Sequence, residues 1–325
     1  MSRHTLKSAV KRGALIAAAN WQVTLIQASA DSLFKLLLAA PIIGGVFLVT
    51  LAVGSDPQSL ITLESRELAT TLISALRSQP AVLTAFLLAL SVVAVGGSLF
   101  VFLVKAGTVA TLVQSDRETG AIEEGPLHLE WLGRASRFSV DGYVESARAL
   151  FPRYARLGFI LMTVYLLSGA AYLGIVSTGA LGQGWWVTAS LTILFVAWIT
   201  LVNLIYLLVQ IVMTADGCSV ASAARRVAAF LRAARGDVLM VFLLVLALVI
   251  FATGASVVAT AALGLVAFVP FFGLAAIPLQ LVAWLLRGLV FQYLGLTAVG
   301  AYLKLYRESP RQRLFEGGLE PAHQL

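Results

Sequence analysis

The chain has 325 residues, 59% of them hydrophobic and only 12% charged, with a mean hydropathy of +0.91. Soluble domains carry about 25% charged residues, so a wholly water-facing surface is excluded and much of the chain must contact lipid. The net charge of +7 and the pI of about 9.8 are read as membrane topology and attraction to anionic headgroups, because no base-reading or stacking module accompanies the basic residues and no nucleic acid is expected as a partner.

In chain order, residues 1–35 form a basic tail and a first amphipathic helix. The run Ala14–Ala19 is too short for the apolar core of a cleaved signal, and Asn20 and Gln22 interrupt it. Residues 36–104 are read as the first membrane hairpin, with spans at Leu36–Val53 and Ala81–Val104. Pro41 is expected in the first turns of its span, where a missing N–H costs nothing, and Pro80 at the first helical position of the second. Between them, residues 58–79 carry Glu64, Arg66, Glu67 and Arg77 among spaced leucines, the pattern of a short interfacial helix. Lys105 closes the second span in this reading.

Residues 105–156 are read as a cytoplasmic loop with an amphipathic helix, and 105–137 are the longest polar stretch. Asp116, Glu118, Glu123, Glu124 and Glu130 lie there with spacing that fits no calcium loop, so a solvated loop of mixed charge is expected. The segment Phe138–Phe151 follows. On a helix, Val140, Tyr143, Val144, Ala147, Leu150 and Phe151 share one face, with Asp141, Glu145 and Arg148 opposite. The same relative places are filled before the first span by Val23, Ile26, Gln27, Ala30, Leu33 and Phe34. Before the fifth span they are filled by Val220, Ala223, Ala224, Val227, Phe230 and Leu231.

The second hairpin covers 157–213, with Trp185 and Trp186 placed as an aromatic belt after an uncharged turn. Residues 214–237 hold the third amphipathic helix and its arginines, 238–303 the third hairpin, and 304–325 a polar tail expected to be disordered. The predicted fold is therefore all-α: a polytopic bundle of six spans in three repeated units, each an amphipathic surface helix plus a membrane hairpin. Every Lys and Arg except Arg66, Arg77 and Arg287 then falls on the side of the N-terminus. That bias puts both termini in the cytoplasm. The excess of Arg over Lys and the abundance of Ala suggest a bacterial protein of the cytoplasmic (inner) membrane.

Cys218 is the only cysteine, and His4, His128 and His323 show no metal-ligand spacing, so no disulfide, metal or cofactor is expected. No phosphate loop, zinc-protease, nucleophile-elbow or CxxC motif is present, and the chain is not expected to be an enzyme. All acidic residues lie outside the six spans, which disfavours a proton-coupled carrier.

Arg287 is the one charge near a membrane midplane. An arginine there costs about 2.5–3.5 kcal/mol, while each Leu, Ile, Val or Phe of the span returns about 0.3–0.6 kcal/mol. The span inserts, but the guanidinium needs partners. Gln280, Asn203 and, less well placed, Gln292 are candidates for a polar cleft that receives an anionic ligand. Two plainer readings stand beside it: Arg287 bonds helix-end carbonyls, or the span ends at Leu286 and 289–303 is a separate interfacial helix. Arg225, Arg226, Arg232 and Arg235 are candidates for lipid-headgroup or partner contact, with simple topological anchoring as the alternative. The function class is a transport or lipid-handling component, permease-like, working with a separate ATPase or membrane-protein subunit. The alternative is a non-catalytic scaffold or assembly factor of a larger membrane complex.

Overall fold

Long runs of Leu, Ala and Val surrounded by lipid leave the helix as the conformation that satisfies backbone N–H and C=O groups within one segment. The computed structural model describes residues 3–53, 80–124, 129–136, 138–179, 184–267 and 273–309, and among these it contains eight helices and no strand. They are α1 (Arg3–Ala19), α2 (Trp21–Val53), α3 (Pro80–Glu118), α4 (Leu129–Ala135), α5 (Val140–Thr178), α6 (Trp185–Ala215), α7 (Val220–Ala267) and α8 (Gly273–Arg307). Six of them (α2, α3 and α5–α8) are long and apolar enough to cross a membrane.

Several expected boundaries shift. The amphipathic segments before the first and third spans are the leading turns of α2 and α5 themselves, not separate helices. Ending a helix at either junction would orphan carbonyls. Pro152 sits inside α5, where its ring removes a single bond. Pro41 likewise lies well inside α2, so it does forgo an intrahelical bond, contrary to the expected first-turn position. In α7 the chain departs from helical geometry at Ala234 (φ −123°, ψ 29°), which separates the basic leading segment from the span. Lys105 does not close α3, which continues to Glu118. α8 is unbroken from Gly273 to Arg307, so 289–303 is not a separate helix. The interfacial helix expected at 58–79, with Arg66 and Arg77, and the polar tail from 310 lie outside the described residues.

The chain divides into two compact units, one of Met1–Ala28 with Leu103–Leu325, the other Ser29–Phe102. In the smaller unit, α2 and α3 meet through reciprocal ring-on-glycine contacts. A Cβ on Gly45 would stand 2.6 Å from the Phe86 ring, and one on Gly97 2.3 Å from that of Phe34.

In the larger unit the core gathers where α3, α6 and α8 end and α5 and α7 begin. Its fully buried side chains include Ile16, Leu112, Tyr154, Leu208, Ile211, Val227, Tyr302 and Leu303. Ser139 caps α5 by accepting from Gly142 N at 3.2 Å. Four residues on, the Tyr143 ring fills the hollow of Gly107, and its hydroxyl donates to Val104 O at 2.7 Å. Of the face predicted around it, Tyr143 and Ala147 are buried, while Val140 and Val144 are exposed. α1 crosses α8 at Gly13 and Gly300. A Cβ on Gly13 would lie 2.2 Å from Thr297 O, and one on Gly300 2.6 Å from Gly13 Cα.

Candidate functional site: a charge cluster and an apolar groove

The last carbonyls of a helix have no partner within it and carry the negative end of its dipole. At the end of α3 that role is taken by Arg12 from α1. Its Nη2 donates to Asp116 O at 2.8 Å, its Nη1 to Glu123 Oε2 at 2.8 Å and to Gly120 O, and its Nε to Asp116 Oδ1 at 2.5 Å. Gly120, with φ of +64°, turns the chain so that its carbonyl faces the guanidinium. From α8, Lys304 pairs with Glu123 and donates to Ser8 Oγ at 2.5 Å, and Arg307 pairs with Asp116. The Asp116 and Glu123 side chains are only 1% and 5% exposed.

Burial opposes the charge on Glu123, but hydrogen bonds from Lys304 and Arg12 outweigh it and hold the carboxyl below its usual 4.5. Burial likewise opposes the charge on Arg12, and Asp116 and Glu123 overcome it, raising the pKa. The expectation of a solvated acidic stretch holds for Glu118, Glu124 and Glu130, which are exposed, and is corrected for Asp116 and Glu123, which are inside and bonded to bases from both ends of the chain. Those partners lie 104 and 181 residues away in sequence, a distance over which no local pattern speaks.

A second knot forms at Asp216, just beyond α6. It pairs with Arg226 and accepts from Tyr306 OH at 2.7 Å, and Tyr306 packs edge-on against Phe230 with centroids 5.5 Å apart. Arg226 is thus engaged within the protein, while it, Arg225, Arg232 and Arg235 all remain exposed along α7.

Arg287 is exposed on α8, and its guanidinium lies 5.6 Å from the Phe291 ring centroid. Roughly 13 Å of helix rise separates it from Leu296, where the buried part of α8 begins. Asn203 accepts from Tyr165 OH at 2.5 Å and donates to Ile199 O at 3.0 Å. Gln280 is exposed and Gln292 half-buried. Among the described residues no hydrogen bond or ion pair joins Arg287 to any of the three.

A cavity that the sequence did not point to lies between α6 and α7. It has a volume of about 520 Å³, and its walls include Ile193, Ala197, Leu204, Leu239, Phe242 and Leu246. The lining is almost wholly apolar. Such a surface can hold a hydrocarbon chain, and it offers no path to an ion.

Among the described residues, fold and site are those of an all-helical protein with six helices long and apolar enough to span a bilayer, compatible with an integral membrane protein. No family model, curated protein or solved structure matches the chain.

Proposed function

We propose that the protein handles lipid within the cytoplasmic membrane of a bacterium. It is permease-like, carries no ATPase of its own, and has both termini on the cytoplasmic side, its helices arranged as three units of amphipathic segment plus hairpin. The observation that carries this reading is the groove between α6 and α7, almost wholly apolar and of ligand size. A solute carrier needs a polar route, and the exposed Arg287, resting on Phe291, does not supply one.

The test is movement or extraction of a fluorescent phospholipid in vesicles containing the purified protein. Acceleration is expected, its loss in Ala197→Phe is expected, and Arg287→Leu should leave it unchanged. Ala197 faces outward, so its enlargement fills the groove without entering the core. If the protein moves no lipid while its helical content is intact, the reading fails. If Arg287→Leu abolishes movement, the ligand site belongs to α8 instead.

A second reading, a membrane scaffold, draws on the charge cluster. α1 and the end of α8 are tied by buried ion pairs, leaving the exposed arginines of α7 on a fixed support for a partner subunit. Failure of the vesicle assay together with capture of a stoichiometric membrane-protein partner would favour it.

A further inference from the structure

We propose that the groove between α6 and α7 is a binding site for one chain of an anionic phospholipid, and that Arg235 holds the phosphate; this rests on the lipid-handling reading above. After Ala234 the backbone of α7 is regularly helical. Arg235, Leu239, Phe242 and Leu246 follow at intervals of four, three and four residues, so all four share one stripe of that helix. Three of them wall the groove. The fourth is exposed, one turn beyond its end, on the side where the core and the basic segments gather. Helical side chains lean toward the N-terminus, so the guanidinium extends away from the apolar wall toward the interface.

The dimensions agree with one leaflet. Thr192 and Leu204 mark the extent of the groove on α6, roughly 18 Å of rise at 1.5 Å per residue. Half of a hydrocarbon core about 30 Å thick is close to that length. The nearby acids do not compete for the site. Asp237 lies two residues on, across the helix from Arg235, and Asp216 is held by Arg226 and Tyr306. A guanidinium at the mouth and a dry wall behind it fit an amphiphile whose anionic phosphate adjoins its chain. A lipid without a phosphate leaves the arginine unused, and a free phosphate leaves the wall unused.

The experiment is native mass spectrometry of the full-length protein released from vesicles of mixed phosphatidylglycerol and the phosphate-free digalactosyldiacylglycerol, with helical content and thermal unfolding followed alongside. The wild type should retain one phospholipid, with phosphatidylglycerol favoured roughly tenfold, the factor one charge-assisted hydrogen bond supplies. Arg235→Gln should retain lipid with no headgroup preference. Ala197→Phe should retain none. If Arg235→Gln keeps the preference, the role of Arg235 is overturned while the lipid-handling reading survives. If Ala197→Phe retains lipid as the wild type does, the groove assignment falls and the lipid-handling reading loses its carrying observation. If the wild type emerges lipid-free as a dimer that Ala197→Phe dissociates, a second copy fills the groove and the proposal is wrong.

Discussion

Four acceptors converge on the Arg12 guanidinium, two from carboxylates and two from backbone carbonyls. Removing a partner from a buried ion pair leaves an uncompensated charge and costs about 3–5 kcal/mol. Arg12→Met should therefore lower the thermal unfolding midpoint in detergent markedly. Arg12→Lys should do so less, since it keeps the positive charge, but should not restore the wild-type value, since an ammonium cannot reproduce the planar fork. Glu123 adds a pH signature. Its pKa is depressed in the folded protein, so its contribution is fully present above its ordinary value of 4.5 and is lost as pH falls through the lower folded value. Glu123→Gln should be less stable than wild type at neutral pH, and the gap should narrow on acidification below about 4. A gap of constant size from pH 7 to pH 3 would mean that the charge of Glu123 contributes nothing through this cluster.

Among the elements, α1 depends on a backbone-to-backbone crossing with α8 that only glycine allows at both positions. Gly300→Leu should push the helices apart, an overpacking cost of about 1–3 kcal/mol or more. Amide hydrogen exchange within 8–19 should rise accordingly. Gly295→Ala on the same helix is the control, because a Cβ there meets nothing. It should leave exchange in α1 unchanged and gain slightly in helix propensity. If both variants behave alike, α1 is not held by this crossing. The sequence showed where the apolar runs lie because length and the absence of charge are local properties: Pro80 does open α3. It did not show that α2 and α5 begin in the amphipathic segments, since a change of surface polarity does not interrupt a helix. Nor did it show Gly13 meeting Gly300 or Arg12 meeting Asp116, because each pairing depends on tertiary packing. The groove was equally hidden: its walls read as ordinary lipid-facing Leu, Ile and Val.

For the whole molecule, the distribution of burial argues for a lipid surround. Away from the core, Leu166, Leu173, Ile193, Phe251, Val258 and Leu265 are exposed on α5, α6 and α7. Leaving such a side chain in water forfeits about 1.5–3 kcal/mol each, more in sum than a folded domain has to spare. A bilayer removes that penalty, and the bias of Lys and Arg then decides which way the helices run. The prediction is a labelling pattern. In a Cys218→Ser background, a single cysteine at Ala224 or Ala233, both exposed on the basic segment of α7, should react with an impermeant maleimide only after the cells are opened. A cysteine at Gly184, exposed at the start of α6, should react in intact cells. The reverse pattern would invert the molecule, placing Arg235 and the mouth of the groove at the outer leaflet. Lipid would then be loaded from the opposite side, and a cytoplasmic subunit could not dock on the α7 arginines.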